Sequence, residues 1–277
     1  MNFSVIVPFL DELQYIEQCI SSLLNQQGVA GECEFIFIDN GSGDGSRDLV
    51  AACSQILLLD EARKDPYLAR NRGIEAAQGE YLVFLDADCQ PNPDWIYQYQ
   101  KIIEAQDPDI LLGNLLYPEP MSTRQRCHQD YYNTKTGYLL DRELRSCYYG
   151  HAGNMVVRKT VFDETGLFKP MPEVGDTAIL HDLLAIHPDA RIVHVPEAGV
   201  VHLEVTSFKH CLGKLYQNGR YTRDYETVNG FRTLTMKEKL GVMRSCADVY
   251  QYSPWERGIL IKALYTGWRA FEKGRAS

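Results

Sequence analysis

Two aspartates one residue apart, Asp86 and Asp88, close the apolar run Tyr81-Leu82-Val83-Phe84-Leu85. Carboxylates this close repel one another when both are ionised. Hard cations such as Mg2+ or Mn2+ take carboxylate oxygens and keep waters and substrate phosphates in their other positions. A solvated acidic turn would read the same way in isolation; delivery by a buried strand is what favours a cation site. Asp39-Asn40-Gly41-Ser42 ends a second apolar run, Phe35-Ile36-Phe37-Ile38. Short polar side chains there suit a base or ribose edge, and the glycine admits a ligand close to the backbone. A tight polar loop is the plainer alternative. The glycines that follow are not completed by Gly-Lys-Ser/Thr, so this is no phosphate loop, and they lack the spacing of a dinucleotide fingerprint. Arg70, in Arg70-Asn71-Arg72-Gly73, either grips a diphosphate bidentately or lies on a helix surface.

The elements that deliver these groups alternate in period. Val5-Ile6-Val7, Phe35 to Ile38, Ile56 to Leu59 and Tyr81 to Leu85 are short continuous apolar runs. Tyr15 to Leu24 and Tyr67 to Ala77 have helical spacing, with Ser46 read as the cap of a helix between them and Gly79 as a helix stop. Strand and helix in alternation, with unbroken apolar strands, predict a mostly parallel central sheet covered on both faces. In such sheets ligands sit beyond the carboxyl ends of the strands, where the polar clusters after Val7, Ile38 and Leu85 all fall. Trp95 to Ala105 reads as a helix and Ile110 to Leu112 as a strand, whereas 114–150 shows no period. Gly150 to Val157 reads as a turn entering a strand, followed by strands at Ile192 to Val195 and Val200 to Leu203. From Ser207 onward the chain reads as helical. The expectation is an α/β domain over 1–205 and a helical C-terminal extension over 206–277.

Composition narrows the function. The chain of 277 residues is 45% hydrophobic and 23% charged, ordinary for a folded protein. Its net charge of -9 argues against a nucleic-acid partner, which needs a basic face. A phosphorylated small molecule stays compatible, because a bound cation supplies the missing charge. The eight cysteines contain no CxxC and no zinc spacing, so reduced thiols are expected. The start has neither a basic region nor a long apolar run, and no segment has the length of a membrane span. A cytoplasmic protein, able to lie on the inner membrane face, is the expectation.

Four segments in order resemble the successive motifs of family 2 glycosyltransferases: Val5 to Glu12, Phe37 to Ser46, Ala69 to Gly73 and Gly79 to Asp88. The resemblance continues through Gly153-Asn154-Met155 and Glu164 to Phe168, covering about residues 3 to 205. It implies an inverting, metal-dependent enzyme of the GT-A fold, using Mn2+ or Mg2+ and a UDP- or GDP-sugar donor. The acceptor would be a saccharide or a lipid-linked sugar. By the same resemblance, Pro8, Phe9 and Glu12 line the nucleotide pocket, and Asn40 holds the base where many relatives have Asp. Arg70 faces the diphosphate, Asp86 and Ala87 approach the ribose, and Asp88, with Asp86, binds the metal. Relatives usually carry a later Glu-Asp pair whose Asp is the catalytic base. Here the match is Gly175-Asp176, without the Glu. Asp182 and His181 are competitors for the base. A histidine that completes the metal site in some relatives corresponds to His202, which could equally be structural.

Two other readings compete. A nucleotidyltransferase that makes nucleotide-sugars would open with a glycine-rich, basic loop, and Pro8-Phe9-Leu10-Asp11-Glu12 is neither. A binding module without activity is kept open by the missing Glu. In the tail, Ile261, Leu264, Trp268 and Phe271 recur at helical spacing among Lys262, Arg269, Lys273 and Arg275. The first reading is a helix packed on its own domain or in a homodimer. The second is a peripheral helix on anionic lipid.

Overall fold

In the computed structural model, which describes residues 1–170, 174–221, 228 and 230–277, strands and helices alternate from the first residues. They run β1 (Phe3–Phe9), α1 (Ile16–Leu24), β2 (Cys33–Asp39), α2 (Ser46–Ala51), β3 (Ile56–Asp60), α3 (Pro66–Ala76), β4 (Tyr81–Leu85), β5 (Cys89–Pro91) and α4 (Trp95–Gln106). There follow β6 (Ile110–Leu116), α5 (Thr123–Asp141), β7 (Asn154–Arg158), α6 (Lys159–Thr165), α7 (Gly175–Ile186) and β8 (Ile192–His202). The described helices that complete the chain are α8 (Phe208–Arg220), α9 (Met236–Val249) and α10 (Pro254–Arg275).

Among the described residues, the strands form one eight-stranded sheet in the order β3-β2-β1-β4-β7-β6-β8-β5. β1 is parallel to β2 and β4, and β2 to β3, as the unbroken apolar runs predict. Every residue of β1 and of β4 is buried. Beyond β4 the pairing reverses: β7 is antiparallel to both β4 and β6. Sequence periodicity could not show this, because four of β7's five residues are buried just as a parallel strand's would be. The result is the mixed sheet of a GT-A-type α/β fold, with its parallel half on the β3 side.

Local chemistry sets the helix ends. Asp65 caps α3: its Oδ1 accepts from the N–H of Tyr67 at 2.8 Å and of Leu68 at 3.1 Å, and Pro66 takes the first helical position. Gly73 lets α3 lie on the sheet, since a Cβ there would meet Ile6 Cγ2 at 2.5 Å and Ile38 Cδ1 at 3.0 Å. Two sequence expectations need correction. Ser46 is the first residue of α2, not its cap; its N–H and Oγ instead donate to Asp44 Oδ1. Gly79 does not stop α3, which ends at Ala76; it allows close approach to Ser4, whose backbone N lies 2.6 Å from a would-be Cβ.

The chain divides into two compact units. One is Met1–Asn114 with Gly150–Val201, and the other is Leu115–Tyr149 with His202–Ser277. The sequence reading placed one break at residue 205. The units divide after Val201 and also assign the unreadable segment 115–149 to the C-terminal part. The reason is α5, whose Cys127 and Tyr131 share an apolar core with Val242, Cys246 and Ala247 of α9 and Leu260 of α10. Gln125, His128, Asp130, Asn133 and Thr136 of α5 are buried too. That polar interior erased the apolar stripe by which the helix would have been recognised.

In the same unit, α8 and α10 press backbone against backbone. A Cβ on Gly274 would lie 1.9 Å from Tyr216 O, and one on Gly219 would lie 2.1 Å from Phe271 O. Overpacking of this kind costs about 1–3 kcal/mol, so Gly274→Ala is expected to lower stability by that amount in denaturant titration. Gly258→Ala, on the same helix with nothing within 4 Å of the new methyl, is expected to stabilise by up to about 1 kcal/mol through helix propensity. Equal effects of the two would contradict the close packing.

Candidate active site

The first unit gathers its polar loops beyond the carboxyl ends of β1, β2 and β4. Pro8 and Phe9 are buried at the end of β1, and Asn40 donates its backbone N–H to Phe9 O at 2.9 Å. The loop after β1 is laced to the loop after β2. Asp11 Oδ1 accepts from Gly43 N at 2.7 Å, Asp11 N donates to Ser42 Oγ at 3.0 Å, and Leu13 N donates to Asp44 Oδ2 at 2.8 Å. Asp11 adopts φ 56° in this turn. Asn40 is 4% exposed and spends both amide hydrogens on the backbone of the next loop, at Glu61 O and Arg63 O. Its amide nitrogen is committed to holding the 61–63 loop, a partner the sequence could not reveal. Asp39, also buried, accepts from Ser42 N at 2.9 Å and lies 3.6 Å from Arg47.

The second cluster is acidic. Arg70, 6% exposed on α3, donates from Nη2 to Asp86 Oδ1 at 2.5 Å, and its guanidinium carbon lies 5.2 Å from the centre of the Tyr67 ring. The sequence assigned this arginine to a diphosphate; here it anchors an aspartate. Its buried Nε has no hydrogen-bond partner among the described residues. Asp176, 8% exposed near the start of α7, takes Ala152 N on Oδ2 at 2.9 Å and Thr177 N on Oδ1 at 2.7 Å. Burial raises its pKa to about 6, against the opposing pull of those N–H groups and of Arg70, with the charge of Asp86 adding to the rise. Two-residue separation leaves Asp86 and Asp88 on one turn, closed by Cys89 N donating to Asp86 O at 3.0 Å. The charges of Asp88, Asp86 and Glu12 all push up the buried Cys19 thiol, after burial itself. Glu12, Asp86 and Asp88 thus all act electrostatically on Cys19, and Arg70 and Asp86 both act on Asp176.

Glycines let the surrounding backbone come this close. A Cβ on Gly153 would lie 2.8 Å from Asp86 Oδ2, one on Gly150 would lie 2.5 Å from Asp176 O, and one on Gly175 would meet the Tyr67 ring at 2.8 Å. The loop Gly150-His151-Ala152-Gly153 thus carries site residues that the sequence reading treated only as a turn. Its visible signal is a histidine bracketed by glycines. Burial, then the charge of His194, lowers the His151 pKa to about 4, so the ring is neutral at neutral pH. Asn71, from the arginine motif, clamps the backbone of Phe168 through Nδ2 at 2.8 Å and Oδ1 at 3.0 Å.

The competitors for the base lie elsewhere on α7. Asp182 and His181 are six and five residues beyond Asp176, about 240° and 140° around a helix turning 100° per residue. Asp182 is held by Lys169 at 2.6 Å, and His181 is buried. His202 is the last residue of β8 and the first of the second unit's C-terminal stretch, with Nε2 4.0 Å from Glu204. The position before Asp176 where relatives have Glu is Gly175, and residues 171–173 lie outside those described.

The donor set of the first unit fits a hard divalent cation. Asp86 and Asp88 supply carboxylate oxygen, and Arg70 is the one cation among the main influences on Asp176, the candidate base. The surplus negative charge is what Mg2+ or Mn2+ would neutralise.

Comparison with known proteins agrees with this geometry. A sequence profile of the family described as Glycosyl transferase family 2 matches residues 4–166. Glycosyltransferase AglE of Haloferax volcanii is 26% identical over 206 residues, which make up 67% of this chain and 66% of AglE. Chondroitin synthase of Escherichia coli is 25% identical over 140 residues, 49% of this chain and 20% of the synthase. The chain spans less than two thirds of the length of these relatives. Among solved structures, S. aureus TarS 1-349 superposes with a TM-score of 0.60 at 17% identity, over 98% of this chain and 81% of that one. Mannosyltransferase PcManGT from Pyrobaculum calidifontis, in complex with GDP-Man and Mn2+, gives a TM-score of 0.61 at 15% identity, over 97% and 75%. At such identities the likeness shows a shared fold.

Proposed function

Because the chain belongs to glycosyl transferase family 2, whose profile spans residues 4–166, we propose that it is an inverting glycosyltransferase with Asp176 as its base. It moves a sugar from a nucleoside-diphosphate donor to the hydroxyl of a saccharide or lipid-linked acceptor. The observation that carries this reading is the setting of Asp176. It is a buried carboxylate with a pKa raised to about 6, fixed by two backbone N–H groups and electrostatically joined to Arg70 and Asp86. A base poised near the working pH takes a proton most effectively.

Pro8, Phe9 and Asn40 border the nucleoside, and Ala87, 3% exposed, brings the backbone between the two aspartates against the ribose. Asp88, assisted by Asp86, would hold Mn2+ or Mg2+, which would offset the charge that builds on the departing diphosphate. His202 is carried as a further ligand on the family resemblance. Arg70 holds Asp86 in place through its Nη2. The acceptor hydroxyl gives its proton to the Asp176 carboxylate as its oxygen bonds the anomeric carbon. The carbon–oxygen bond to phosphate breaks, and its electron pair leaves with the nucleoside diphosphate. One base and one displacement invert the anomeric centre. Double displacement would need a second, nucleophilic carboxylate, as in retaining glycosidases.

TarS has been solved with UDP-GlcNAc and PcManGT with GDP-Man, so UDP- and GDP-sugars are the donors to screen first. With Mn2+ present, one donor at a hundred times its Kd is expected to add about 2.7 kcal/mol of stability, seen as a rise in melting temperature of several degrees. Slow donor hydrolysis should accompany it. If no nucleotide-sugar shifts the melt, the transferase reading falls. A shift without hydrolysis or transfer would instead mark an inactive binding module.

A further inference from the structure

The outer face of α10 is not used by anything in the active site, and we propose that it docks on an anionic lipid bilayer. The inner face fixes how the helix is rotated. Leu260, Ala263, Gly267 and Gly274 are buried, a Cβ on Gly267 would meet Leu215 at 2.8 Å, and Gly274 abuts Tyr216 O. Side chains at the opposite positions must therefore face outward. Ile261, Tyr265 and Trp268 do so, with 53%, 57% and 46% of their surfaces exposed. At spacings of four and three they form one line, and the Tyr265 and Trp268 rings lie 6.1 Å apart. Leu264, which periodicity had grouped with them, packs instead against the core shared with α5 and α9.

Beside the apolar line runs a basic one. Lys262, Arg269 and Lys273 are exposed, and among the described residues none of the three side chains makes an ion pair or hydrogen bond. Trp255, 68% exposed, stands at the head of this line. By contrast, the helix's Glu256 and Arg257 are engaged by Arg126 and Asp248. Counting Arg257, Lys262, Arg269, Lys273 and Arg275 against Glu256 and Glu272, α10 carries 5 − 2 = +3 in a chain of net charge -9. Charge of this sign has been concentrated on one helix against the trend of the molecule.

The combination selects the occupant. Tyr and Trp rings prefer the headgroup level of a bilayer, where one edge is apolar and the other wet. Lys and Arg lay their stems along that boundary and keep their charges at the lipid phosphates. A second copy docked face to face would set two lines of unpaired cations against each other, which charge complementarity opposes. An acidic soluble partner would satisfy the cations but has no need of the aromatic row.

The test uses the full-length chain and vesicles of phosphatidylcholine with or without phosphatidylglycerol. The chain is expected to float with the anionic vesicles and not with the neutral ones, and added salt should weaken the association. Lys262→Glu with Arg269→Glu should weaken binding at least about tenfold, each basic residue contributing several-fold near an anionic surface. Tyr265→Glu with Trp268→Glu should abolish it. Both variants change only exposed positions, so unchanged melting temperatures verify that they fold. Asp176→Asn should float like the native chain, which separates this inference from the assignment of the base. Absence of flotation with anionic vesicles overturns the proposal. So does flotation that charge reversal leaves unaltered, or a dimer in solution that Trp268→Glu dissociates while the native chain fails to float.

Discussion

Asp176→Asn is expected to lower the transfer rate by about 10³-fold, within the 10²–10⁴-fold range that general bases contribute, while donor affinity changes little. Asparagine has nearly the same shape and cannot accept the acceptor's proton at neutral pH. One of its two terminal atoms will face an N–H of Ala152 or Thr177 as donor to donor, because both carboxylate oxygens are acceptors in the native chain. That loses one hydrogen bond, about 1 kcal/mol, but it also removes a buried carboxylate whose charged form is disfavoured by desolvation. The variant should therefore fold. If it retains more than a tenth of native turnover, the base is another residue, and the Lys169-bound Asp182 or buried His181 would have to be reconsidered.

The same residue sets a pH dependence. The group must be ionised to accept a proton, and its pKa is raised to about 6. Activity should then climb as pH rises through about 6 and level off above it, and kcat/KM should fall tenfold per unit on the acid side. An ordinary aspartate would place that limb about two units lower. A profile flat down to pH 5 in the native chain would show that Asp176 is not the titrating base.

How much of this was legible depends on where each residue's partners lie in the chain. β1, β2 and β4 announce themselves because strands buried within a parallel sheet are written as unbroken apolar runs, and β3 is written the same way although it is an edge strand with no buried residue. α3 announces itself through the helical spacing of Tyr67 to Ala77. The aspartates at the end of β4 are legible for the same reason, since the strand that aims them is contiguous with them. α5 is hidden, because a helix that buries Asp130 against Tyr252 and Asn133 against the Leu115 backbone has no apolar stripe. Arg70 shows the subtler failure. Its residue type and position suggested a phosphate ligand, but its partner, sixteen residues later, is Asp86. Motif order identifies which residues meet; it does not say which of two nearby charges an arginine will take.

That distinction makes Asp88 and Asp86 separable by experiment, although the motif treats them as a pair. Asp86 is the partner of a buried guanidinium. Deleting one member of a buried pair leaves the other charge uncompensated, at a cost of about 3–5 kcal/mol, reduced here because Asp86 itself is 36% exposed. Asp86→Ala should thus lower the melting temperature of the metal-free chain as well as its activity. Asp88 accepts the Cys89 thiol at 3.7 Å, and its charge adds to burial in raising the pKa of both Cys19 and Cys89. Asp88→Ala is read through its metal response. It should abolish the extra stability that Mn2+ confers together with a nucleoside diphosphate, and weaken donor binding in Mn2+ by about 10²-fold, more than second-shell losses of ~10–100-fold would require at their midpoint. Affinity measured with a chelator present should be the same in variant and native chain. If Asp88→Ala instead keeps its metal response while Asp86→Ala loses it, the roles of the two acids are reversed, with Asp86 the cation ligand.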